Sequence, residues 1–75
     1  MILRLKYFGM IVEALGKETE ELNLDICTVA ELKNNYKNSL ANINYKVAVN
    51  YNLVEEEYML NENDEVALLP PFAGG

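Results

Sequence analysis

The sequence has no histidine, no tryptophan, a single cysteine, and only 6 basic residues against 12 acidic ones in 75. Each shortage excludes a class of function. Without histidine there is no imidazole base, no Ser-His-Asp triad and no histidine-bearing metal site. The lone Cys27 excludes an internal disulfide framework and a cysteine-rich zinc cluster. A net charge of −6 argues against nucleic acid and against an anionic membrane surface, because each would repel the chain. The opening Met1-Ile2-Leu3 is interrupted by Arg4 and Lys6, so it lacks the apolar run of a secretory leader, and no later run approaches a membrane span. With one free thiol besides, the expected compartment is the cytoplasm.

What is present is a hydrophobic content of 51% in regular patterns, which fits one small domain. Residues 2–8 alternate, with Leu3, Leu5 and Tyr7 on one face and Ile2, Arg4, Lys6 and Phe8 on the other. The charged pair marks the second face as solvated and leaves Phe8 exposed at the strand end. Residues 10–15 predict a short helix stopped by Gly16, and the alternation of Leu22, Leu24 and Ile26 predicts a second strand over 19–26. Thr28-Val29-Ala30-Glu31 is a capping box, followed by Val29, Leu32, Tyr36 and Leu40 on one face of a three-turn helix. Strands are expected at 46–50, 53–54 and 65–69, with turns at Asn50-Tyr51-Asn52 and at 61–64, where Asn63 suits a left-handed conformation. The acidic run Glu55-Glu56-Glu57 reads as a solvated edge rather than a metal site. A mixed α+β sheet of four to five strands, with one main helix across one face, buries these stripes. The β-grasp roll of ubiquitin and a ferredoxin-like arrangement both satisfy that pattern.

The last ten residues stand apart. Val66 to Gly75 carries no charged side chain, and the ending is Pro70-Pro71-Phe72-Ala73-Gly74-Gly75. The two prolines cannot continue a central strand and direct the chain onto an extended path. The expected division is therefore a body over 1–69 and an extended tail over 70–75, which can reach about 20 Å. Gly74 and Gly75 remove every Cβ from the tip, so it can enter a channel too narrow for side chains. The chemically distinctive group on such an arm is the α-carboxylate of Gly75. A merely flexible linker would not need Pro-Pro-Phe before its glycines.

The segment from Glu65 to Gly75 resembles the carboxyl-terminal signature of the small, sulfur-carrying subunits of molybdopterin synthase. The resemblance extends over nearly the whole chain. Leu5-Lys6-Tyr7-Phe8-Gly9 followed by Glu13-Ala14-Leu15-Gly16 is similar to that family's first strand and helix. Thr28-Val29-Ala30-Glu31-Leu32 resembles its main helix start, and Val47-Ala48-Val49-Asn50 its central strand. Two departures are visible: Val12 stands where members usually carry an arginine, and Asn63-Asp64 replaces a Gly-Asp turn.

The resemblance implies a β-grasp fold and a carrier that is not catalytic alone. A ubiquitin-activating-like enzyme would use ATP to adenylate Gly75, and a persulfide donor would convert it to a thiocarboxylate. The large synthase subunit would bind a cyclic pyranopterin monophosphate and receive the arm, two small subunits joining two large ones. Gly74 would serve steric access, with Pro70, Pro71, Phe72 and Ala73 along the partner channel. Phe8 and Leu69, with Leu53 at a matching contact position, would form the docking patch. No cofactor and no metal is expected on the chain itself. Cys27 reads as a small structural residue at a strand–helix junction. The remaining readings are a protein modifier that forms isopeptide bonds through Gly75, a sulfur carrier of another pathway such as thiamine synthesis, and an interaction module with an inert tail.

Overall fold

Alternation settles the first strand in the computed structural model, which describes residues 1–71. In β1 (Ile2–Tyr7) Leu3, Leu5 and Tyr7 are buried, and Ile2, Arg4 and Lys6 turn outward. The short helix α1 (Met10–Leu15) buries Ile11 and ends at Gly16 in the left-handed region, φ 76, where a side chain would be strained. β2 (Thr19–Asn23) returns antiparallel to β1. α2 (Val29–Asn35) opens on the expected capping box: the Glu31 N–H donates to Thr28 Oγ1 at 3.3 Å, and the Thr28 N–H donates to Glu31 Oε1 at 3.1 Å. β3 (Lys46–Val49) and β4 (Asn52–Val54) form a hairpin, and β5 (Glu65–Leu69) closes the sheet.

The strand order is β2-β1-β5-β3-β4, with β1 and β5 parallel and every other pair antiparallel. Because β1 and β2 are antiparallel neighbours, they are not the parallel ends of a split β-α-β unit, which separates the fold from the ferredoxin-like alternative. The arrangement is the β-grasp. Its core lies between the inner sheet face, carrying Leu5, Val47, Val49, Val66 and Leu68, and the helices, carrying Ile11, Val29 and Leu32.

Several boundaries differ from the sequence expectation. The regular helix stops at Asn35 rather than running three turns to Leu40. Asn34, Asn35, Asn38 and Ser39 are poor helix formers, and the N–H groups of Tyr36 and Lys37 fall back on the carbonyls three residues earlier. Tyr36 and Leu40 are still buried on the expected side. β2 ends at Asn23, not 26, because its last partner is Ile2 and the neighbouring strand has run out. The Glu55–Glu57 run lies in a turn rather than on a strand edge: the Glu56 carboxylate pairs with Lys33 at 3.1 Å, and its carbonyl accepts the Ala30 N–H at the start of α2.

The β3–β4 hairpin carries a conformational cost. Asn50 and Tyr51 both have positive φ, 49 and 73, the signature of a type I′ turn. Asn50 suits this, and it clamps the hairpin to β5 by donating to Asp64 Oδ1 at 3.0 Å and accepting the Glu65 N–H at 3.1 Å. Tyr51 does not suit it, since an aromatic side chain is strained there. Tyr51→Gly is expected to raise stability by about 0.5–1 kcal/mol, read as a higher urea midpoint at unchanged slope.

Beneath the sheet, the Tyr7 and Tyr36 rings meet edge to face with centroids 6.1 Å apart. Their hydroxyls lie 2.8 Å from each other, and Tyr7 Oη donates to Glu20 Oε2 at 2.7 Å. Burial is the main cause that raises both phenols above the ordinary value of 10.0, Tyr36 to about 12 and Tyr7 further, where its hydrogen bonds to Tyr36 and Glu20 add to the effect. A raised folded-state value means that stability from the neutral phenols is complete below pH 10 and is lost as the pH climbs through the folded-state values. The urea midpoint is expected to fall steadily above that pH, and less steeply in Tyr36→Phe, which has one phenol fewer to ionise.

Candidate docking face and tail root

The residues that alternate away from the core build the outer sheet face. Strand register sets Arg4 beside Glu65, and Lys6 in one row with Ala67 and Ala48, with Leu53 paired to Ala48 at the β4 edge. Lys46 pairs with Leu69 in the next row. Phe8, one residue past the Tyr7–Leu68 pair, extends the β1 register to the level of Leu69. Ala48 and Ala67 are small, so the larger side chains around them stand proud and leave hollows between them.

Two hollows meet at Leu69. One, of about 260 Å³, is lined by Phe8, Tyr51, Ala48, Ala67 and Leu69, with Lys6 and Glu65 at its polar side. The other, of about 440 Å³, is lined by Asn44, Tyr45, Lys46, Leu53, Leu69, Pro70 and Pro71. Phe8 is 45% exposed and Leu53 64%, a large apolar area to leave in water on one face. Phe8 and Leu69 thus share one hollow, and Leu53 and Leu69 share the other together with both prolines. Phe72, Ala73, Gly74 and Gly75 lie outside the described residues.

Electrostatics on this face are mild. Lys6 and Glu65 form a partly exposed ion pair at 3.4 Å, of a kind that contributes under about 1 kcal/mol. Among the described residues no cluster of three or more Cys, Asp or Glu could hold a metal ion, and no helix is long and apolar enough to cross a membrane. Cys27 is exposed rather than packed at its junction, its N–H donating to Glu31 Oε1 at 3.0 Å.

Two residues of this region were not singled out by the sequence. Tyr51, 85% exposed, adds an aromatic wall beside Phe8; the only sequence signal was the Asn50-Tyr51-Asn52 turn. Gly9, at φ 53 and ψ −131, adjoins Pro70 at the tail root, and no local pattern pairs two residues so far apart in the chain.

The comparisons with known proteins match this geometry to a family. Residues 5–75 match the ThiS family. The chain belongs to it. Among curated relatives, the molybdopterin synthase sulfur carrier subunit of Dictyostelium discoideum is 31% identical, with 91% of this chain and 90% of that protein covered. The subunit of the same name from Escherichia coli (strain K12) is 28% identical over 99% of this chain and 100% of its own length. A solved complex of subunits 1 and 2 of molybdopterin-converting factor from Helicobacter pylori 26695 contains a chain 25% identical, each chain covered in full, with a TM-score of 0.71. SAMP1 of Haloferax volcanii, a small archaeal modifier protein, superposes with a TM-score of 0.83 at 21% identity over both full chains, a likeness of fold.

Proposed function

We propose that this chain is the sulfur carrier subunit of a molybdopterin synthase, and that it carries the sulfur as a thiocarboxylate on Gly75. The observation behind this reading is continuity: the apolar outer face runs through Leu69 into Pro70 and Pro71, so a partner seated on the face meets the root of the tail. The pathway comes from the two curated relatives, whose likeness spans almost the whole chain, and the partner class from the solved two-subunit complex.

A carboxylate is a poor electrophile at neutral pH, so the carrier must be activated from outside. A ubiquitin-activating-like enzyme joins the Gly75 carboxylate to the α-phosphate of ATP, with pyrophosphate leaving. A persulfide sulfur then displaces AMP, and cleavage of the resulting sulfur–sulfur bond by a thiol leaves the thiocarboxylate. ATP is thus a substrate of the activating enzyme, and the carrier holds no cofactor. The large subunit binds the cyclic pyranopterin monophosphate, and two successive carriers supply the two dithiolene sulfurs. Acid and base groups come from that subunit. The tail segment from Val66 contributes none before the terminal carboxylate. The assembly is two small and two large subunits, one arm for each large subunit's site.

An isopeptide-forming modifier would begin from the same acyl adenylate, so chemistry after activation separates the readings. With activating enzyme, ATP, persulfide donor, large subunit and cyclic pyranopterin monophosphate together, the carrier is expected to yield the dithiolene product. Covalent attachment to lysines of other proteins, without product, would replace the carrier reading by the modifier.

A further inference from the structure

β1 and β5 are parallel and reach the same level at the Tyr7–Leu68 pair, so their continuations, Phe8-Gly9 and Leu69-Pro70, run on side by side. Gly9 sits in a backbone region open to glycine and strained for any L side chain, φ 53 and ψ −131. It is the N-cap of α1, yet it offers no side-chain cap. A helix start would be better served by Ser, Thr, Asp or Asn, so capping does not explain the glycine. Its neighbour does. A Cβ on Gly9 would stand 3.0 Å from Pro70 Cγ and 3.9 Å from Pro70 Cβ. The half-buried Pro70 ring therefore rests against the bare backbone of the β1–α1 corner.

We propose that Gly9 is a positioning residue for sulfur delivery: the absence of its Cβ seats the Pro70 ring, and that seat sets the direction in which the tail leaves the sheet. The proposal rests on the sulfur-carrier reading of Gly75. A small error at the root is magnified along the arm. The five residues beyond Pro70 can reach up to about 17 Å if fully extended in a channel, and a misplacement of about 1 Å at a reacting group can lower a rate by about a hundredfold. A Cβ at position 9 would press on the ring more tightly than ordinary contact, so the ring must give by a few tenths of an ångström and the tail root shifts with it.

The test is a double-variant cycle of wild type, Gly9→Ala, Pro70→Ala and the pair, each loaded with sulfur and mixed with large subunit and pyranopterin substrate. Two quantities are read, the single-turnover rate at saturating carrier and the carrier concentration giving half that rate. Gly9→Ala is expected to lower the saturating rate by about tenfold or more while the half-saturation point moves by less than about twofold. Pro70→Ala alone is expected to cost about threefold, from a looser root. Adding Gly9→Ala to Pro70→Ala should cost no more, because the atom at 3.0 Å is gone and the remaining Cβ lies at ordinary contact, 3.9 Å. The drop in thermal stability from positive φ should persist in both Gly9→Ala proteins, since it does not depend on Pro70. An equal rate loss on both backgrounds, or an unchanged rate in Gly9→Ala, overturns the proposal. Where Gly9→Ala does not fold, Pro70→Ala decides: an unchanged saturating rate overturns it. A wild-type protein that accepts no sulfur from a competent activating system instead sinks the carrier reading, and the positioning role falls with it.

Discussion

Deletion of Gly75 is expected to abolish thiocarboxylate formation and, with it, dithiolene product. The deletion draws the terminal carboxylate back by up to about 3.5 Å, several times the misplacement of about 1 Å that already lowers rates by about a hundredfold. Substituting Gly74 by valine should slow both activation and transfer, because a branched side chain enters a channel shaped for none. The described core, from Leu3 to Leu68, contains neither residue. Unfolding in urea should therefore be unchanged in both variants, which separates a failure of chemistry from a failure to fold. The assay follows thiocarboxylate and product separately, so that a block at activation is distinguished from one at transfer.

The second large effect concerns docking. Phe8→Ala and Leu69→Ala are each expected to weaken binding to the large subunit by about 1–3 kcal/mol, or about 5- to 150-fold in Kd. Both side chains point away from the core, and Phe8 is 45% exposed, so the fold should persist with only a modest loss at half-buried Leu69. Isothermal titration of each variant against the large subunit measures the change. Wild-type affinity in both would remove the outer face from the account. Because Leu69 lines both hollows, its replacement should act on both sides of the patch and weaken binding at least as much as Phe8→Ala.

How much of this was legible in the sequence depends on whether local chemistry or tertiary context decided each element. β1 and β5 could be read residue by residue because one face is solvated and the other is not, which leaves a period of two in the sequence. The capping box was legible for the same reason: Thr28 and Glu31 satisfy each other within one turn. β2 was read too long because its ladder ends where β1 begins: Leu24 still exchanges hydrogen bonds with Met1, but Ile26 keeps the alternation with no β1 residue opposite it. The helix was read too long because Tyr36 and Leu40 obey its period while the asparagines between them favour tighter turns.

At the candidate site, Phe8 and Leu69 were legible as outward apolar residues, Leu53 entered through the family resemblance, and the structure brings all three around the Ala48–Ala67 pair. Tyr51 was not, because an aromatic residue in a position that favours glycine has no local signature. Nor was the Gly9–Pro70 contact, which exists only because two parallel strands end together. Cys27 was read as a small structural residue at a strand–helix junction, but its side chain is exposed while Ile26 and Val29 near it pack on the core.

The central claim is that Gly75 carries sulfur, and the most direct measurement is the intact mass of the chain after incubation with ATP, the adenylating enzyme of its source organism, a persulfide donor and a thiol reductant. The account predicts a mass gain equal to one oxygen exchanged for one sulfur, confined to the carboxyl-terminal peptide and absent when Gly75 is deleted. An unchanged mass, with the same enzymes shown to load another carrier, would contradict it.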